Sequence, residues 1–170
     1  MAPGLLRVAV AAGPVQKVSQ EYVVKAAFLF YLAEFVTWPE PLANAGGPMI
    51  FGILGIDPFG PMLDQTLSRQ TVNGRHLEVQ RISKMSEASK CQVLFVSASE
   101  EARLPLLWDV LRDASVLTVS DLPGFSSRGG MVGFVDQASK IRFAVSLKAM
   151  TAAHLKASSQ LLGLALEVER

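Results

Sequence analysis

The sequence predicts an α/β fold: a single compact domain on a Rossmann-like mixed sheet of about six strands, with flanking helices and a β-hairpin in its C-terminal half. Three observations predict it. Short continuous apolar runs (Met49–Leu54, Cys91–Val96 and Val116–Val119) have the pattern of strands buried on both faces. Segments of helical spacing separate these runs, which implies parallel βα units with right-handed crossovers. Late in the chain, Met131–Val135 and Lys140–Val145 are separated only by Asp136-Gln137-Ala138-Ser139, a hairpin that makes the sheet mixed.

Residues 1–20 read as the remnant of an export signal or as a disordered start. Arg7 precedes a short apolar stretch, Val8 to Ala12, that ends in small residues; Pro3, Gly4, Gly13 and Pro14 favour disorder. The domain itself occupies residues 21–170. Glu21–Trp38 is predicted as a helix, with Val24, Ala27, Phe28, Tyr31, Leu32 and Phe35 at three-four spacing and Pro39 as its stop. Phe28 is assigned to the core. Phe30 lies off the stripe, so the helix is apolar nearly all round, and a dimer or partner surface is the alternative for part of it.

After the strand Met49–Leu54, Asp57-Pro58 supplies an N-cap and a proline preset for the first helical turn, with the helix running to about Leu67. Asn73-Gly74 turns the chain into an alternating strand, His76–Ile82. Ser97-Ala98-Ser99-Glu100 spells a capping box for a helix reaching about Asp113. Ser120–Gly130 is a polar loop. Leu147 onward returns to helical spacing as two short helices broken near Ala157-Ser158-Ser159.

Composition narrows the function. Half of the 170 residues are apolar, 18% are charged and the net charge is +1, which excludes intrinsic disorder. Sixteen Lys and Arg are balanced by fifteen Asp and Glu without a basic run, so no nucleic-acid partner is expected. The single cysteine, Cys91, excludes an internal disulfide. His76 and His154 stand alone, without metal-ligand spacing, so neither a metal nor another cofactor is expected.

The sequence carries none of the common active-site motifs. Gly52, Gly55 and Gly60 follow a strand but do not have dinucleotide-binding spacing. There is no phosphate loop and no nucleophile elbow. Glu100 and Glu101 suit the positive end of a helix, and Cys91 suits a buried, inert thiol. What remains are the loops at the carboxyl ends of the parallel strands, where open α/β sheets hold ligands. They carry Asp57 and Phe59, Ser97 and Ser99, and Ser120 and Asp121, candidates for a small polar ligand or for capping. Arg142, alternating with Ile141, Phe143 and Val145, is predicted on the other face of the hairpin, as an ordinary exposed charge or an anchor for a partner or anion.

An ordered set of motifs spans the chain: Lys25-Ala26-Ala27-Phe28-Leu29-Phe30, Phe35-Val36-Thr37-Trp38-Pro39, Ile53-Leu54-Gly55, Asp57-Pro58-Phe59-Gly60, Cys91-Gln92-Val93-Leu94-Phe95-Val96, Leu117-Thr118-Val119-Ser120-Asp121, Gly129-Gly130-Met131-Val132 and Lys140-Ile141-Arg142-Phe143. In order and spacing it resembles the YfiR family of small bacterial proteins over about Glu21 to Leu166. The resemblance implies a non-enzymatic periplasmic repressor. Its expected partner is a YfiN-like inner-membrane diguanylate cyclase, held inactive through its periplasmic sensing domain, with lower cyclic di-GMP and less biofilm as the outcome. It also implies a YfiB-like outer-membrane lipoprotein as a second partner, and a homodimer is expected. Some relatives carry a cysteine paired with the one matching Cys91; here that position is Gly52, so the bridge cannot form. The alternative function is a small-molecule sensor that uses the strand-end loops and signals through another membrane receptor such as a histidine kinase.

Overall fold

The computed structural model describes residues 14–170, with side chains from Gln20 onward. The export-signal reading of Arg7 to Ala12 lies outside the described residues. The first helix, α1, begins at Pro14 rather than Glu21 and ends at Phe35. A strand of two residues follows, β1 (Val36–Thr37), and then β2 (Met49–Leu54), at its predicted bounds. Helix α2 spans Pro61–Leu67 and starts three residues later than Asp57-Pro58 suggested. Gly60, at φ 61°, is its N-cap and Pro61 its first residue.

Next come β3 (Thr71–Val72), β4 (Arg75–Ile82) and β5 (Val93–Val96). Ser97 does not cap a continuous helix. A 3-10 turn, Ala98–Arg103, precedes the α-helix proper, α3 (Leu104–Leu111), whose start is set by Pro105 in its first turn. Strand β6 (Leu117–Ser120) leads through a 3-10 turn at Phe125–Arg128 to the hairpin of β7 (Val132–Gln137) and β8 (Lys140–Ser146). Ala138 and Ser139, at φ 51° and 63°, make the tight turn between them. The chain ends with α4 (Leu147–Ala152), β9 (Lys156–Ala157), α5 (Ser159–Leu164) and β10 (Glu167–Glu169). His154 lies beyond α4 in a left-handed conformation, not inside a helix.

The strands form a mixed sheet of eight, in the order β10-β8-β7-β6-β5-β2-β4-β3, and β1 pairs with β9 in a separate two-stranded ladder. The six expected strands are all present; the extra ones are pieces of two or three residues. β4, β2, β5, β6 and β7 run parallel, and only the β7–β8 and β3–β4 pairs in this sheet are antiparallel. Alternation along the strands divides the interior into two cores. Phe51, Ile53, Val93, Phe95, Leu117, Val119, Phe143 and Val145 meet α1 and α2 on one face. Leu54, Leu94 and Val96 meet Leu104, Leu107 and Leu111 of α3 on the other.

α1 is rotated relative to the stripe predicted from its aromatics. Its buried residues are Lys25, Ala26, Leu29, Leu32 and Ala33, whereas Val24 and Tyr31 are exposed and Phe28 and Phe35 are half-buried. Ala26 and Ala33 let the helix approach the sheet closely, which leaves the larger rings on its flank.

Candidate functional site

The strand-end loops meet at the point where the strand order reverses, between β2 and β5, as the topology requires. The side chains of Asp57, Ser99, Ser120 and Asp121 have partners within the fold. Asp57 accepts a hydrogen bond from the Phe59 N–H (2.8 Å) and pairs with Arg81 (3.0 Å). Arg81 also grips Asp64 and the Gly60 carbonyl, and its guanidinium holds the Asp64 carboxyl below its ordinary range. Phe59 is a core ring, edge-on to Tyr22 and Phe95 at 5.2 and 4.8 Å. Ser97 is buried. The Ser99 hydroxyl accepts from the Ile56 N–H (2.9 Å), and the Ser99-Glu100 turn packs so closely on Gly55 (φ 92°) that a Cβ there would stand 2.8 Å from Glu100 Cγ. Ser120 donates to the Val96 carbonyl (2.6 Å) and accepts from the Leu122 N–H (3.0 Å). Asp57, Ser99 and Ser120 thus each bond a backbone group of these loops, and Asp57 also carries the ion pair to Arg81.

Asp121 has a further role. It accepts from Lys25 Nζ at 2.8 Å and from the Tyr22 hydroxyl at 2.7 Å. Lys25 also pairs with Glu21 one turn back and lies 4.4 Å above the Tyr22 ring. Burial, then Asp121, pushes the Tyr22 phenol above its ordinary pKa. This buried cluster anchors the first half of α1 across the carboxyl end of the sheet. Lys25 and Tyr22 were not singled out by sequence reasoning. The available signal was a Glu21–Lys25 pair at i,i+4 spacing inside an apolar helix.

The flank of α1 is a surface that the cores leave unpacked. Phe28, Tyr31, Leu32 and Phe35 form a wholly apolar groove of about 310 Å³ with Phe143 of β8 and with Leu161 and Leu164 of α5. It continues past Ile141, Arg142 and Gly163, and then along Val24 and Gln20 toward Asp136 and Lys140. Tyr31 is 51% and Leu164 58% exposed. Ile141, Phe143 and Val145 face the α1 core as predicted. Arg142 sits half-buried at the groove's rim, opposite Val135, and takes part in none of the ion pairs among the described residues. Of the predicted site residues, Arg142 alone lines this groove; the others lie at the carboxyl end of the parallel strands.

Cys91 is buried just before β5, and burial pushes its thiol up to about 11. A Cβ on Gly52 would lie 2.5 Å from its Sγ, so the two positions the resemblance links are adjacent in space. His76 is exposed. Among the described residues no cluster of His, Cys, Asp or Glu forms a metal site, and no helix is long and apolar enough to cross a membrane.

Comparison with known proteins places this architecture. No curated protein matches the chain. A solved structure with the same fold is an ABC domain in complex with L-Trp from Streptococcus pneumonia, 10% identical, with a TM-score of 0.52. The match covers 71% of this chain, which spans about half (55%) of that one. Residues 22–166 match the YfiR/HmsC-like family, and the chain belongs to it. That family comprises periplasmic, non-catalytic regulators of diguanylate cyclase systems.

Proposed function

We propose that this YfiR/HmsC-like chain binds the periplasmic sensing domain of a YfiN-like inner-membrane diguanylate cyclase and holds it inactive, lowering cyclic di-GMP and biofilm formation. Physically, repression requires higher affinity for the inactive arrangement of the cyclase than for the active one. A YfiB-like outer-membrane lipoprotein would relieve repression by competing for the repressor, which acts as a homodimer. The observation that carries the reading is the apolar groove along α1, with Tyr31 and Leu164 exposed and Arg142 at its rim. Aromatic and arginine side chains in such a setting are the usual anchors of a protein interface.

The test is capture of the cyclase's purified periplasmic segment on the immobilised chain. Tyr31→Asp and Arg142→Glu, both at solvent-accessible positions, should weaken retention by about tenfold or more while the circular dichroism spectrum stays unchanged. Unaltered retention in both variants would move the interface off α1. Failure of the wild-type chain to retain any cyclase segment, with capture of a histidine-kinase segment instead, would replace the repressor reading.

A further inference from the structure

A second cleft, of about 350 Å³, opens at the amino end of β6 between α3 and α4 and shares no residue with the α1 groove. Trp108 and Leu111 of α3, Val116 and Met131 supply its apolar walls. From α4 come only alanines, Ala149 and Ala152 with Ala153 beyond, whose short side chains leave the space unfilled. The Trp108 indole is fixed in advance. Its N–H donates to the Arg128 carbonyl (3.0 Å), its ring lies 5.8 Å from that of Phe125, and Gly129 admits it closely, since a Cβ there would be 2.8 Å from Nε1.

Arg112 stands at the rim with its side chain 73% exposed. Its partner is Asp109 on the same helix, at 2.7 Å and equally open to water. An exposed pair of this kind contributes little, so an incoming carboxylate can displace it. The adjoining depression shares Gly129, Ala149 and Ala152 and adds Ser126, Ser127, Lys148 and Arg170 against one carboxylate, Glu169. The surroundings therefore favour an anion over a cation.

We propose that this cleft binds a small apolar carboxylate, with its hydrocarbon body against Trp108, Leu111, Val116 and Met131 and its head group at Arg112. The volume lies at the small end of ligand sites, which run from about 300 Å³, and suits a medium-chain acid or a single aromatic ring with a short acid arm. The inference goes beyond the repressor reading and does not depend on it.

Isothermal titration of the full chain with octanoate and with phenylpropionate tests it, with octylamine as the cationic control. Saturable binding of at least one acid, without binding of octylamine, is expected; which acid binds distinguishes chain from ring. Ala152→Phe, which fills the cleft, should abolish the signal, and Arg112→Glu should weaken it by about tenfold or more. No saturable heat from either acid, equal binding of octylamine, or unchanged affinity in Arg112→Glu would overturn the proposal. Arg112 is exposed enough that its variant keeps the fold, so the test stands even if Ala152→Phe does not fold.

Discussion

Asp121→Ala tests whether the first half of α1 is held by charge. In the native protein the Lys25 side chain is 4% exposed and shares its ammonium between Asp121 and Glu21, whose side chains are 16% and 33% exposed. Removing Asp121 leaves the ammonium buried with Glu21 alone and strips the Tyr22 hydroxyl of its acceptor. Breaking a buried pair costs about 3–5 kcal/mol. Glu21 retains part of the interaction, so the low end, about 3 kcal/mol, applies to Lys25. Loss of the phenol's bond to a carboxylate adds about 1 kcal/mol. For a chain of this length each kcal/mol moves the melting temperature by roughly 2–4 °C, so the variant should melt about 8–16 °C lower. The paired variant Lys25→Met/Asp121→Ala removes both charges and should recover much of that loss, because replacing a buried pair by apolar groups is often neutral. The measurement is a double-mutant cycle by urea denaturation, expected to yield a coupling energy of about 2 kcal/mol or more. A loss below about 1 kcal/mol for Asp121→Ala, or simple additivity in the cycle, would refute the electrostatic latch.

Three further perturbations follow from the geometry. The Cys91 thiol is held protonated by burial, with its pKa raised from about 9 to about 11, so the folded chain binds the extra proton across that window. Stability is therefore intact below about pH 9 and falls as pH rises toward 11, by a contribution on the order of 2 kcal/mol that Cys91→Ala should remove from the alkaline limb of a stability–pH curve; an identical limb in the variant would falsify the assignment. Gly52→Ala places a methyl 2.5 Å from Cys91 Sγ and 2.6 Å from Ile82 Cδ1. It should cost about 1–3 kcal/mol by overpacking, and Gly52→Ala/Cys91→Ala should regain much of it in urea melts. Phe28 sits 5.7 Å from Phe143 and 6.0 Å from Phe134 but is only half-buried, so Phe28→Ala should cost about 2 kcal/mol rather than the 3–5 of a core ring. A near-zero loss by the same melts would make the ring purely a groove residue.

The buried parallel strands were legible because their chemistry is one-dimensional. A run such as Met49–Leu54 or Val93–Val96, apolar on both faces, too short for a helix and bounded by turn residues, belongs in the middle of a sheet. The short strands β1, β3, β9 and β10 carry no such signal. They exist because neighbouring elements bring their backbones within pairing distance, as when Ala157 meets Val36. The helix starts misread at Asp57 and Ser97 share one cause. A side-chain oxygen caps a helix only if a helical N–H comes near it: Asp57 instead accepts from Phe59 two residues on, while Ser97 caps nothing and its neighbour Ser99 accepts from Ile56. The strand-end serines and aspartates were likewise legible as hydrogen-bonding types but not as to which backbone or side-chain groups of the fold they would bond. The hairpin register that sets Arg142 opposite Val135 was legible from alternation, but not that Arg142 would be half-buried beside Phe28 and Phe143 in the groove.

The burial of α1 bears on function more directly than any polar group. A helix that packs through Ala26, Leu29, Leu32 and Ala33 gains its close approach to the sheet from small side chains, and the fold does not require aromatic bulk on the flank. Leaving Tyr31, Val24 and Leu164 in water contributes nothing to folding and exposes a contiguous apolar surface, which monomeric proteins generally keep small. The same flank adjoins Arg142, which has no ion pair among the described residues. Two features without a structural use, side by side on one face, argue for a protein partner there more strongly than either alone. They also separate two parts of α1 by role: Tyr22 and Lys25 hold the helix to the domain at its first half, and the flank of Phe28, Tyr31 and Phe35 lines the groove. Loosening the first should therefore alter the presentation of the second, so Asp121→Ala is expected to weaken partner capture in proportion to its effect on the position of α1, whereas Arg142→Glu weakens capture with no loss of stability.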